Sequence, residues 1–132
     1  MGFFKPNVEK MEAKKDINGL IKVLRDEDYD VRNKAAWAVE NMGKLSVEPL
    51  IEAIKDEHKD VELRSKVASA LRRLGDPRAI DPLIRILTGD EEVSFNPDLY
   101  LKGDIAKALG EIGDEKAVNE ALGNIRAKRR KE

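Results

Sequence analysis

Three acidic residues at alternate positions, Asp26-x-Asp28-x-Asp30, have the spacing that opens a calcium-binding loop. Such a loop needs glycine at its sixth position and a bidentate glutamate at its twelfth, and this chain places Val31 and Trp37 there. An interhelical turn in which the acids cap a helix accounts for the same residues. The only histidine, His58, lies in the polar stretch Asp56-Glu57-His58-Lys59-Asp60 and reads as a solvated turn residue. No cysteine is present, so disulfides, thiolate metal sites and thiol catalysis are excluded. Neither a glycine-rich phosphate loop nor a hydrolase nucleophile motif occurs, and no metal, cofactor or catalytic residue is expected.

The run Arg126-Ala127-Lys128-Arg129-Arg130-Lys131 is the one concentrated charge, and it could neutralise several phosphates. Cationic residues also suit the end of a helix, where they face the negative pole of the macrodipole. Across the chain, 25 Lys and Arg balance 26 Asp and Glu, so the overall field selects no polyanionic partner.

The elements that must position these side chains are legible because the chain repeats. Asp60 to Ile84 aligns without a gap on Asp98 to Leu122, with eight identities in 25 pairs. A third copy is visible at Arg32-x-Lys34-Ala35-Ala36-x-Ala38-Val39, which matches Arg64-x-Lys66-Val67-Ala68-x-Ala70-Leu71. Repetition at this period indicates stacked helix pairs.

Each copy holds two amphipathic segments. The first carries Leu20, Ile21, Val23 and Leu24, then Leu50, Ile51, Ala53 and Ile54, then Leu83, Ile84, Ile86 and Leu87. The second carries Ala35, Ala36, Ala38, Val39 and Met42, then Val67, Ala68, Ala70, Leu71 and Leu74, then Ile105, Ala106, Ala108, Leu109 and Ile112, with alanine where neighbouring helices must approach closely. Gly43, Gly75 and Gly113 each follow a second segment, where a left-handed residue would end the helix. Asp30, Asp60 and Asp98 are expected to cap the second helices, Asp76-Pro77 to supply a cap and a preset first turn, and Pro49 and Pro82 to sit near the starts of first helices. The expected fold is all-α, a solenoid of about three and a half repeats and roughly eight helices.

The single domain divides into an N-terminal cap over 1–15, with Phe3 and Phe4 tucked against the core, and repeats over 16–43, 46–75 and 76–113. A half-repeat over 114–128 and a basic tail over 129–132 follow. The third repeat contains a long inter-helix loop over 88–97, in which Val93 and Phe95 either tuck inward or meet a partner. The opening residues lack the apolar core of a signal peptide, and no apolar run approaches the ~20 residues needed to span a bilayer. A cytoplasmic protein is the expectation. The lack of glutamine, the single threonine at Thr88 and the abundance of Lys, Arg and Glu suggest a heat-adapted source.

The runs Gly75-Asp76-Pro77-Arg78-Ala79-Ile80-Asp81-Pro82-Leu83-Ile84 and Asp30-Val31-Arg32-x-x-Ala35-Ala36-Trp37-Ala38-Val39 resemble the HEAT-like repeat named for phycobilisome lyases. The opening Phe3-Phe4-Lys5-Pro6-Asn7-Val8 also resembles small archaeal proteins of that kind. The resemblance implies a right-handed superhelix with first helices on the convex side and second helices on the concave side. It also implies a protein partner more often than a nucleic acid. A bilin lyase role would follow from the family's name alone, as an accessory subunit.

Subtracting the buried positions leaves a row of side chains that the repeat does not fix: Asn33, Trp37, Glu40, Asn41, Ser65, Ser69, Arg72, Arg73, Lys107 and Glu111. These form the expected partner-binding surface, for another protein or a second copy of the chain. Trp37 either projects as an anchor or lies along a neighbouring helix, and the sequence leaves both open. Arg32, Arg64 and Lys102 occupy one equivalent position and are expected to form a salt-bridge ladder with acids of adjacent turns. The alternative function is nucleic-acid binding by Arg126, Lys128, Arg129, Arg130 and Lys131 together with Arg72, Arg73 and Lys107.

Overall fold

The computed structural model describes residues 5–56, 61–88, 99–113 and 115–130. Phe3, Phe4, His58, Asp60, Val93, Phe95, Asp98 and Lys131, on which the sequence places expectations, lie outside the described residues. The described residues contain eight α-helices: α1 (Val8–Ala13), α2 (Ile17–Val23), α3 (Tyr29–Asn41), α4 (Lys44–Lys55), α5 (Val61–Leu74), α6 (Ile80–Thr88), α7 (Leu99–Ile112) and α8 (Glu115–Arg130). A short 3₁₀ turn, Pro77–Ala79, leads into α6. No strand occurs among the described residues, and the chain is an all-α solenoid.

Two layers follow from which faces are apolar. Helices α3, α5 and α7 pack side by side, and α2 packs on α4 and α6 on α8 in the other layer. Within the pairs, α2 meets α3, α4 meets α5 and α6 meets α7. The layers share one core, in which Leu20, Leu50, Ile54, Leu71, Leu83, Ile86, Leu101 and Ile105 are fully enclosed. Ala38, Ala70 and Ala108 stand at the equivalent close-contact position of the three second helices, all buried. Helix α1 packs on both α2 and α3, with Val8 buried between them.

The connections hold the layers in register. Helices α3 and α4 are joined by Met42-Gly43 alone, and Gly43 reverses the chain at φ +53°. Ser46, fully buried, donates its hydroxyl to the carbonyl of Val39 at 2.8 Å, supplying a partner to a carbonyl in the last turn of α3. Gly75 ends α5 at φ +63°. Asp76 then caps the 3₁₀ turn, accepting from the Arg78 amide at 2.9 Å.

Four local expectations are corrected. The cap of α3 is Asp28, whose Oδ1 accepts from the amides of Asp30 (2.9 Å) and Val31 (3.3 Å), while Asp30 lies in the first turn. The cap falls two residues earlier because Asp26 also accepts from the Asp28 amide, folding the acidic stretch into successive side-chain turns. Pro49 lies inside α4, because that helix begins at Lys44, directly after Gly43. Gly113 is absent from the positive-φ glycines, and close approach explains it instead: a Cβ there would stand 3.0 Å from Ile80 Cδ1 and 3.3 Å from Val118 Cγ2. Finally, Ala106, expected in the buried stripe of the third copy, is exposed on α7. Of the equivalent basic residues, Arg32 donates to the backbone carbonyl of Asp26 at 2.7 Å and lies 5.6 Å from the Tyr29 ring centroid, whereas Arg64 is only 7% exposed.

Candidate partner-binding groove

Helices α3, α5 and α7 face solvent on the side away from the first helices, and their free positions recur every three or four residues. On α3 the exposed side chains are Tyr29, Asp30, Asn33, Lys34, Trp37 and Asn41. Alternation with the buried Val31, Ala35, Ala38 and Val39 sets that stripe, since residues three and four apart share a helix face. Trp37 is 71% exposed, so it projects from the helix and does not lie along its neighbour.

Around Trp37 the surface is hollowed. An open groove of about 710 Å³ is lined by Asp30, Asn33, Lys34, Ala36, Trp37, Glu40 and Arg73. Beside it, between α3 and α5, lies a narrower crevice of about 170 Å³ whose walls include Tyr29, Arg32, Asn33, Glu40, Lys66, Ser69 and Arg73. The two hollows share Asn33, Ala36, Glu40 and Arg73 and are therefore adjacent. Ala36 forms part of the floor in both, where a larger residue would fill the space.

Ion pairs tie the second helices together at their C-terminal ends. Arg73 of α5 reaches Glu40 of α3 at 3.2 Å, and Arg72 of α5 reaches Glu111 of α7 at 3.2 Å. The two arginines thus diverge to opposite neighbours. Midway along α3, Lys34 approaches Glu9 of α1 at 3.7 Å, and at its start Lys5 approaches Asp28 at 3.3 Å. The Asp28 carboxyl is held below its ordinary value chiefly by the Val31 amide, with Lys5 adding to the effect.

The expected site residues distribute unevenly. Asn33, Trp37, Glu40 and Arg73 come together in the groove, with Ser69 in the adjoining crevice. Asn41, Lys107 and Glu111 are exposed on α3 and α7, Ser65 is half-buried on α5, and none of the four lines either hollow. Arg72 belongs to the α5–α7 ion pair. Helix α8 runs through Arg126, Lys128, Arg129 and Arg130, so the basic stretch continues a helix. The row derived from the repeat omits Tyr29, Asp30, Arg32, Lys34 and Lys66. Tyr29 aligns with Val61 and Leu99, apolar positions in the other copies, so nothing in the pattern marks it as 67% exposed. Asp30, Lys34 and Trp37 stand at i, i+4 and i+7 on one helix face, and that spacing was the available signal for Asp30 and Lys34.

Comparison with known proteins agrees with this architecture. A family model for HEAT repeats matches residues 17–94. The chain belongs to the HEAT-repeat family. It is 34% identical over 88 residues to the phycocyanobilin lyase subunit alpha of Picosynechococcus sp., a match covering 61% of this chain and 32% of that protein. The chain thus spans about a third of the length of this curated relative.

Proposed function

We propose that this protein is a non-enzymatic interaction module that binds a protein partner through the exposed face of α3, α5 and α7. The observation that supports this most directly is Trp37, a large aromatic side chain projecting into solvent at the edge of an open groove. Folding gains nothing from leaving an indole in water, whereas a partner that covers it removes apolar area at a rigid site. The face is also firmly backed: Ala35, Ala38 and Val39, on the opposite side of the same helix, are buried in the core.

Native capture from lysate tests the assignment. Wild-type chain is compared with Trp37→Ala and with Lys22→Ala, which alters the other layer. Loss of a specific partner with Trp37→Ala alone is expected, because removal of an aromatic anchor costs about 2 kcal/mol or more. Recovery of the same proteins by both variants refutes the assignment.

A second reading, an accessory lyase-type subunit, is supported by the match to the phycocyanobilin lyase subunit. It predicts a visible-absorbance change on mixing with a free bilin. Nucleic-acid binding is less well supported, because the charges of Arg72 and Arg73 are each offset by a glutamate and the chain as a whole carries no basic excess. A reducing cytoplasm suits a chain without cysteine.

A further inference from the structure

We infer that the α3–α5 crevice takes the carboxylate of an isolated aspartate or glutamate on a partner peptide, with an adjacent apolar side chain of that peptide covering Trp37. This rests on the proposed protein-binding role and specifies the partner's chemistry.

The first observation is charge. Arg32, Lys66 and Arg73 line the crevice against the single carboxylate of Glu40, leaving an excess of two positive charges in a hollow of about 170 Å³. A chain whose charges otherwise cancel nearly one for one has a local excess there. The second is donor capacity. Arg32 uses Nη1 on the Asp26 carbonyl and Arg73 uses Nη1 on Glu40, and a guanidinium carries five N–H donors in all. Asn33 and Ser69 in the same wall add an amide and a hydroxyl suited to a carboxylate or to peptide backbone.

Adjacency to the larger groove supplies the second half of the motif. Asn33, Ala36, Glu40 and Arg73 border both hollows, so a peptide with its acid in the crevice passes directly over Trp37. The surroundings argue against a polyphosphate chain. Asp26, Glu27, Asp28 and Asp30 cluster at the start of α3 and repel a continuous run of negative charge, but a single carboxylate flanked by neutral residues avoids them. The amides of Asp30 and Val31 at the start of α3, which could cradle a phosphate, are already bonded to Asp28.

Trp37 is the only tryptophan in the chain, so its fluorescence reports on this groove alone. The full chain is titrated with a short glycine/serine peptide bearing one Glu-Leu pair, with the matching Gln-Leu and Lys-Leu peptides, and with a single-stranded oligonucleotide. The Glu-Leu peptide is expected to change Trp37 emission saturably and to bind more tightly than the Gln-Leu peptide by about 3- to 5-fold, the scale of one exposed ion pair. Lys66→Glu is expected to abolish that preference. Glu40→Gln, which removes the competing carboxylate, is expected to strengthen binding, an outcome that misfolding cannot imitate. Equal or tighter binding of the Lys-Leu peptide or the oligonucleotide, or weaker binding by Glu40→Gln, overturns the inference. If no peptide alters Trp37 emission while Trp37-dependent capture persists, the carboxylate assignment fails and the wider protein-binding role stands.

Discussion

At the scale of single residues, the turn between the second and third repeats holds the most concentrated set of polar contacts. Arg78 donates through Nε and Nη2 to the two oxygens of Asp76, at 3.2 and 3.1 Å, and Nη2 also reaches the Lys44 carbonyl at 3.3 Å. One aspartate thereby caps its own turn and holds an arginine that bridges to the start of α4. The Arg78 guanidinium, followed by the Arg78 amide, keeps the Asp76 carboxyl below its ordinary value. A depressed carboxyl contributes stability that is fully present above its unfolded-state pKa and lost as pH falls through the folded one, so the loss begins below about pH 4. Asp76→Asn should therefore lower the urea midpoint at pH 7 and flatten its fall between about pH 4 and pH 2. An unchanged slope in that window would assign the acid sensitivity elsewhere. The sequence marks Asp76-Pro77 as a cap and first turn, but the reach of Arg78 back to Lys44 spans 34 residues and is invisible to local pattern. Asp28 illustrates the converse: three acids at alternate positions each look like a cap, and only the folded backbone selects one.

At the scale of helices, glycine separates positions that pattern alone treats alike. Gly43 adopts φ +53° at the sharp α3–α4 reversal, where an L side chain is strained although no atom blocks it. Gly103 and Gly110 lie inside α7, on its exposed side, with nothing within 4 Å of where a Cβ would stand and no positive φ. Gly43→Ala should destabilise the protein by about 1–3 kcal/mol, whereas Gly103→Ala and Gly110→Ala should each stabilise it by about 0.5–1 kcal/mol through helix propensity. Chemical denaturation of the three variants checks the contrast, and a stabilised Gly43→Ala would contradict the backbone geometry. Helix identity and the buried stripe were legible because 3.6-residue periodicity recurs in aligned copies. The exact ends were not: the start of α4 depends on Gly43, and this start carries Pro49 from the first turn into the helix interior. Gly113 occupies the repeat position of Gly43 and Gly75, yet its role is room for Ile80, a contact between helices distant in sequence.

At the scale of the whole molecule, near-neutral charge conceals an ordered arrangement. Arg73–Glu40 joins α5 to α3, Arg72–Glu111 joins α5 to α7, and Arg78–Glu48 joins the 3₁₀ turn to α4 at 3.8 Å. Lys34–Glu9 extends the series to α1. Alignment of the repeats located the variable row but could not pair its members, because partners in different helices share no fixed sequence offset. The same pairing shapes what the row offers a ligand: Arg72 and Arg73 each give Nη1 to a neighbouring helix, while Trp37 meets solvent. Because solenoid units contact mainly their neighbours, ties between units bear on whether the stack melts as one body. Each exposed pair contributes only ~0.2–1 kcal/mol at 25 °C, but the desolvation cost of ion pairs falls as temperature rises. The series therefore matters most near the melting transition. Calorimetry should place Tm above the ~45–65 °C range of mesophilic domains. Replacing both Arg72 and Arg73 by glutamine should lower Tm by about 2–5 °C while preserving helicity at room temperature. Moving wild type from low salt to about 1 M NaCl should lower Tm in the same direction by screening the pairs, and the double variant should lose part of that salt response. A double variant with wild-type Tm and unchanged salt response would show that the apolar core alone couples the units.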